Sequence, residues 1–320
     1  LDQIKTQAKL LMQEVLRFRR MVNNEPCEAH SDCNCCASPH LEKVQRAVLK
    51  NEQVVFVLTA FPGKSPNRAK VLGSHPDMAE KQALKFLNSL CIKIQKIYKP
   101  GAKVVICSDG RVFSDVVGMP ESDVTSYQDQ IDTMIADLGL QNIETFNLDQ
   151  LYPQQDFDTV REDLMARHGQ SLEELKAKVR RGGKGSHVAE DQDAHRMYCG
   201  ITRFLFEDSM TPGQTQSKTQ LQKSAKRRAY EVIRRSNAWS GILAVEFPHA
   251  VRLSIHPQVC GSEKLGIQLL GRQTWLTPWH GVAVRQNDQF VLMKKWEAEK
   301  LEAKLVYDDK GCASHYEVGV

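Results

Sequence analysis

No stretch of the 320-residue chain approaches roughly 18 uninterrupted apolar residues, which excludes a membrane-spanning helix. An excess of one charge is missing too: 43 Lys and Arg face 39 Asp and Glu, a net +4. That falls short of a nucleic-acid footprint but suits a small anionic substrate. The first residues, Leu1-Asp2-Gln3-Ile4-Lys5, have neither a methionine nor the basic-then-apolar pattern of a signal peptide, and read as an internal cut from a longer chain. Repeats and low-complexity tracts are absent. What is present, 41 % hydrophobic and 26 % charged residues, can bury a real core in one large domain or two modest ones. A disordered tail, a collagen-like rod and a disulfide-dominated miniprotein are thereby excluded. The nine cysteines are an odd count, and Cys91, Cys107, Cys199, Cys260 and Cys312 lie scattered singly, as in a reducing compartment. The expected location is cytoplasmic.

Apolar positions Ile4, Leu10, Leu11, Val15, Leu16 and Met21 have helical spacing over residues 3–23. A breaker, Asn23-Asn24-Glu25-Pro26, then leads into a stretch read as loop that holds Cys27, His30, Cys33, Cys35, Cys36 and His40. Residues 1–40 thus form an N-terminal helix and Cys-rich loop, and 41–320 an α/β domain. Gln53–Thr59 and Lys103–Cys107 are short β-branched runs suited to strands buried on both faces, with a helical pattern from Met78 to Tyr98 between them, which is the βαβ arrangement. A helix over Val124–Leu140 and a third strand at Asn142–Phe146 follow. A helical segment occupies about 155–240, with a glycine hinge at 181–185 and a candidate mobile loop at 181–193. The end turns β-like at 251–256, 266–270 and 281–284. The expected fold is α/β: a Rossmann-like, mostly parallel sheet, a helical middle segment, and a β-rich C-terminal part completing the same core.

Ligands of open α/β sheets bind beyond the carboxyl ends of the strands, and polar residues cluster there. Lys64, Ser65, Asn67, Arg68 and Lys70 follow the first strand; Ser108, Asp109, Arg111 and Asp115 the second; His256, Gln258, Ser262, Glu263 and Lys264 the fourth. Lys64, Ser65 and Arg68 combine cations, a hydroxyl and loop amides, which suits a phosphate, although a solvated basic turn would look the same. The Gly-x4-Gly-Lys-Ser/Thr loop is missing, and no Gly-x-Gly-x-x-Gly follows a strand, which disfavours a nicotinamide-dependent reductase. Asp109-Gly110-Arg111 reads as an acid/base group beside an anion anchor or as a plain turn. His256 and His280 each adjoin a residue that stiffens the chain. Cys27, Cys33, Cys35 and Cys36 lack two separated Cys-x2–4-Cys knuckles, so a soft ion such as Cu(I) suits them better than zinc, against a loop of reduced thiols. Trp239, Phe247 and Trp275 are expected in the core.

The segment Phe61-Pro62-Gly63-Lys64-Ser65-Pro66-Asn67-Arg68-Ala69-Lys70-Val71-Leu72-Gly73 resembles the signature loop of the isocyanide (isonitrile) synthase family, which includes pyoverdine/paerucumarin-type and dityrosine spore-wall biosynthesis enzymes. The match continues through Ser108–Asp115, Tyr198–Phe204, Arg235–Ser240, Phe247–Gln258, Gly261–Lys264 and Leu276–Gly281, in order, covering about residues 45–285. It departs at Gly63, where a bulkier residue is expected, and in the cysteine-rich loop.

The resemblance implies an enzyme that converts the amino group of an α-amino acid into an isocyanide, with ribulose 5-phosphate as carbon donor and no metal or nucleotide cofactor. Lys64, Ser65, Arg68, Arg111, Arg252 and Lys264 would hold the sugar phosphate, and Arg203 the amino-acid carboxylate. His256, Glu263 and His280 would serve as proton donors and Asp109 as a base for carbon–carbon cleavage, while Lys64 is an alternative imine-forming amine. Tyrosine, tryptophan, valine and leucine all fall within such families. The expected partners are these small molecules, not nucleic acid or membrane, together with a fused or separate tailoring enzyme. Fusions among fungal members point to a fungal source. The rival readings are an N-formyl amino acid-forming enzyme of the same family and a copper-binding module built on the cysteine cluster.

Overall fold

The computed structural model describes residues 2–22, 27, 31–153, 156–270 and 276–319; the Asn23–Pro26 breaker, His30 and Trp275 lie outside them. Helix α1 (Asp2–Leu16) turns Ala8, Leu11, Met12, Val15 and Leu16 inward. Next come α2 (Asn34–Lys50), β1 (Val54–Thr59), α3 (Met78–Ile97), β2 (Ala102–Ile106), α4 (Gly110–Val117), α5 (Glu121–Asp137) and β3 (Ile143–Thr145). The helical segment holds α6 (Leu148–Leu151), α7 (Phe157–His168), α8 (Leu172–Arg181), α9 (Ala189–Ser209) and α10 (Lys218–Glu246). Strands β4 (Val251–Ser254) and β5 (Leu265–Gly266), a 3-10 turn (Pro278–His280), β6 (Val282–Gln286), β7 (Gln289–Met293), α11 (Lys295–Lys300), β8 (Lys304–Tyr307) and β9 (Ala313–Glu317) follow.

β1 takes the centre of a five-stranded sheet of order β3-β2-β1-β4-β5, parallel throughout, with Phe56 opposite both Val104 and Val251. Its β-branched, nearly all-apolar sequence is what burial on both faces requires. Alternation sorts the side chains. Phe56, Leu58, Val104 and Ile106 join the core beneath α1 and α3, whereas Val57, Val105 and Cys107 join the one beneath α4, α7, α9 and α10. The order of connection reverses between β1 and β4, so the crevice of a Rossmann-like sheet opens there. That is the expected α/β class.

Four local expectations change. The β-rich C-terminal part divides: β4 and β5 complete the main sheet, but β6–β9 form a second, mixed sheet of order β7-β6-β9-β8 with its own small core around Val282, Val284 and Tyr316. Strand β5 is only Leu265–Gly266 and shares one residue with the expected 266–270, because the segment after α1 pairs there instead, with Arg20 N–H on Gly266 O and Gln268 N–H on Phe18 O. Cys33–His40 is not loop but the start of α2, whose buried Cys36, Ala37, His40 and Val44 form a helical face. Residues 189–193 open α9, and Asp191 is clasped by Arg181 at 2.8 and 3.0 Å.

The loop after β1 is anchored by Lys64, whose ammonium lies 2.8 Å from Asp77 and 2.8 Å from Glu80, with no side-chain exposure, and donates to Pro278 O at 3.0 Å. Asp77 and Glu80 also form the capping box of α3. The Tyr127 hydroxyl donates to Glu80 at 3.0 Å. Burial raises the Glu80 carboxyl to about 7 despite the Lys64 cation. The same two carboxylates outweigh burial at Lys64 and raise its pKa. Lys64→Met strands two buried carboxyls and should cost about 3–5 kcal/mol, read as a lower denaturation midpoint in urea.

Candidate active site

A cavity of about 1290 Å³ opens over the carboxyl ends of β1, β2 and β4. Its floor is built from the strand-following loops: Pro62, Gly63 and Ser65 after β1, Asp109 after β2, and Ile255–Gln258 after β4. Helices α9 and α10 contribute Ile201, Arg203, Phe204 and Val232; the 3-10 turn contributes Trp279 and His280; and β7 supplies a wall from Phe290 to Met293. The loops fit tightly. Gly63 sits at φ +137°, where a side chain is strained, which explains the departure from the expected bulkier residue. A Cβ on Gly110 would stand 1.8 Å from Pro62 O, so only glycine lets the β2 loop lie against the β1 loop. Phe61, at φ 58°, holds the turn by packing its ring 5.4 Å from Trp279.

Asp109 occupies the N-cap position of α4 but caps nothing, and its Oδ1 is buried with no hydrogen-bond partner. Burial raises its pKa to about 7. His256 is exposed to the cavity. The protein packed around it, then the Arg20, Lys264 and His280 charges, lower its pKa to about 4. Solvent entering the cavity opposes part of the shift, yet the direction leaves a neutral imidazole at pH 7. Asp208, near the end of α9, accepts from Ser65 Oγ at 2.7 Å and Lys70 Nζ at 2.5 Å, with His280 Nδ1 at 3.6 Å. Burial works against its charge, but His280 and Lys70 win and hold Asp208 well below the usual carboxylate range. Lys70 Nζ also lies 3.3 Å from His280 Nδ1. Asn67 fixes this end of α9 by donating to Glu207 O and Met210 O.

Of the residues singled out in the sequence, Asp109, His256, His280, Ser65 and Arg203 line the cavity. The five cations expected on the phosphate do not. Lys64 is enclosed by Asp77 and Glu80. Arg111 is buried against Glu121, Asp149 and Thr125 Oγ1. Arg68 pairs with Asp123 at the surface, and Arg252 donates to Ser240 Oγ and O. Lys264 lines a separate small cleft beside Cys36, and Glu263 is exposed outside the cavity. Among the described residues, the cations that do face the cavity are Lys70, Arg20, Arg196, Arg203 and Lys294. Arg20 donates to Ile255 O at 2.8 Å, and burial lowers its pKa to about 10. Asp208 was missed because a carboxylate in a charged helix looks solvated; Lys70 stood in the right loop but among other cations. The thiols that lie within 4.8 Å of one another are Cys27, Cys33, Cys36 and Cys260; Cys35 stands beside Cys260 but outside that set.

A cavity at the switch point of a parallel sheet, holding a near-neutral carboxyl, a neutral imidazole and an apolar wall, defines a Rossmann-like α/β enzyme with a small-molecule site. A family profile described as "Pyoverdine/dityrosine biosynthesis protein" matches residues 44–306. The chain belongs to this family, that of the isocyanide synthases. It is 44 % identical over 307 residues to the L-tryptophan isonitrile synthase AmbI2 of Fischerella ambigua, covering 94 % of this chain and 90 % of the relative. It is 43 % identical over 311 residues to an L-tyrosine isonitrile synthase of Xenorhabdus nematophila, covering 96 % and 90 %. The crystal structure of PvcA from Pseudomonas aeruginosa superposes with a TM-score of 0.88 at 41 % identity, covering 98 % of this chain and 99 % of that one. All three are bacterial, and the expected fungal source finds no support in them. Among the described residues, no helix is long and apolar enough to cross a membrane.

The raised Asp109 pKa has a measurable consequence for stability. Between about 4 and 7 the unfolded chain gives up this proton while the folded chain keeps it, so ionisation destabilises the fold as pH rises. Asp109→Asn should therefore raise urea stability at pH 8 by a few kcal/mol at most, with the gain fading toward pH 4.

Proposed function

We propose that the chain is an isonitrile synthase that acts on an aromatic L-α-amino acid with ribulose 5-phosphate as carbon donor. The observation that carries this reading is spatial. All the family-like motifs except Gly261–Lys264, though far apart in sequence, contribute residues to the lining of one cavity. The aromatic preference rests on the apolar side of the cavity, which includes Phe113, Met197, Phe204, Trp279 and Phe290, and on the tryptophan and tyrosine named for the relatives.

Lys70 and Arg20 take the phosphate-binding role first expected of Lys64 and its neighbours, since they face the cavity and charge-assisted bonds are the strong ones. Arg203, on α9 and already beside Glu207 at 3.2 Å, receives the amino-acid carboxylate. Neutral His256 accepts a proton as the amine is freed to attack the ketone. Asp109, held protonated by burial, gives its proton to the hydroxyl that leaves as the imine forms. Its carboxylate then removes a proton from the sugar during carbon–carbon cleavage. Asp208 keeps His280 and Lys70 in place.

Ribulose 5-phosphate labelled at its ketone carbon, incubated with the chain and L-tryptophan or L-tyrosine, should give a labelled isonitrile by mass spectrometry. Label found only in an N-formyl amino acid would sink this assignment in favour of the formyl product. Lys70→Ala should raise KM for the sugar phosphate roughly 10- to 100-fold with a smaller change in kcat. Asp109→Asn should lower kcat by about 100-fold or more. Since the acid form of Asp109 donates, kcat/KM should fall as pH rises through about 7 in the parent chain, and the variant should lose that limb.

A further inference from the structure

Four thiols from three separate places in the chain converge at the edge of the main sheet. Cys27 follows α1, Cys33 and Cys36 lie at the N-terminus of α2, and Cys260 lies in the loop after β4. Their sulfurs all lie within 4.8 Å of one another. The contacts are 3.6 Å for Cys27–Cys36, 3.7 Å for Cys33–Cys260 and 3.4 Å for Cys36–Cys260. A disulfide needs about 2.05 Å, so none of these pairs is bonded. A tetrahedral ion with Zn–S bonds of about 2.3 Å sets its sulfurs about 3.8 Å apart, close to the separations seen. Cys33-Asn34-Cys35-Cys36 is itself a Cys-x2-Cys knuckle, and the second pair is assembled only by the fold.

We propose that Cys27, Cys33, Cys36 and Cys260 form a structural site for one zinc ion. A closed set of four thiolates is a structural zinc set, whereas catalytic zinc keeps an open position. Four thiolates around a divalent ion leave a formal charge of −2, and cations stand beside them. Buried Arg19 donates to the backbone oxygen of Cys27, and Lys264 shares a cleft with Cys36. Cys35, exposed and packed 3.1 Å from the Cβ position of Gly261, is outside the set.

The ion ties two segments that also build the cavity. Residues 20–22 and 258 already bond through Val22 N–H to Gln258 O and Gln258 N–H to Arg20 O. Arg20, His256 and Gln258 line the cavity. The zinc holds this rim and does not depend on the identity of the reaction.

The test is the metal content of the chain purified under reductant, by plasma mass spectrometry and native mass spectrometry, with cobalt(II) exchanged for zinc as a spectroscopic probe. One zinc per chain is expected, and the cobalt form should show tetrahedral ligand-field bands with thiolate-to-cobalt charge transfer. Cys33→Ser and Cys260→Ser should lose the ion, while Cys35→Ser and Cys199→Ser keep it. The site is refuted by zinc no higher than the buffer blank after reconstitution, by full zinc retention in a Cys33→Ser/Cys260→Ser double variant, or by iron or copper at one equivalent instead. If the serine variants do not fold, the cobalt spectrum of the unaltered chain decides, and absent charge transfer overturns the site.

Discussion

The arrangement depends on one buried cation. Lys64 joins three parts of the chain: the loop leaving β1, the first turn of α3 and the 3-10 turn before β6. Its charge is costly to bury and is tolerated only because Asp77 and Glu80 are preorganised by their own capping box. Once fixed, it directs everything nearby. Ser65 N–H reaches Trp279 O, Phe61 packs on Trp279, and the next residues of the loop run along the end of α9. Lys70, Asp208 and His280 then meet by construction. The position that looked most like a ligand-binding lysine is the one that makes ligand binding by its neighbours possible.

Charge within the cavity is segregated. Around Asp208 the carboxylate is kept ionised by two nitrogen bases and a hydroxyl. Asp109 has no such support, and the same burial that Asp208 overcomes drives it toward its neutral form. Two aspartates in one cavity thus differ in protonation state because their neighbours differ. His256 completes the contrast, since the protein packed around it and then the nearby cations oppose a positive charge there.

The sheet was legible because burial on both faces demands apolar, β-branched runs, and Val54–Thr59, Ala102–Ile106 and Val251–Ser254 have them. The loops that hold the cavity were legible for a related reason: the carboxyl ends of parallel strands are where ligand sites open, and polar residues gather directly after such runs. Partnership was not legible. Lys64, Arg111 and Arg252 have the composition of anion ligands, but their partners sit on α3, on α5 and α6, and on α10, which only the folded chain brings near. Asp208 is the converse, an ordinary helix carboxylate until Lys70 and His280 stand beside it. Cys260 shows the same limit: its role lies with thiols more than 200 residues earlier in the chain.

The apolar wall has a separate origin from the rest of the cavity. Strand β7 belongs to the second sheet and is its edge strand, joined to β6 by a tight turn with Asn287 and Asp288 in the left-handed conformation. Its hold on the fold comes from backbone bonds to β6 together with Leu292, buried against Ala79 and Ala283, and Phe290, packed on His315. The polar floor and the apolar wall therefore come from different sheets, so substitutions among the cavity-facing side chains of Phe290–Met293 reshape the cavity while Asp109, His256 and Asp208 keep their places.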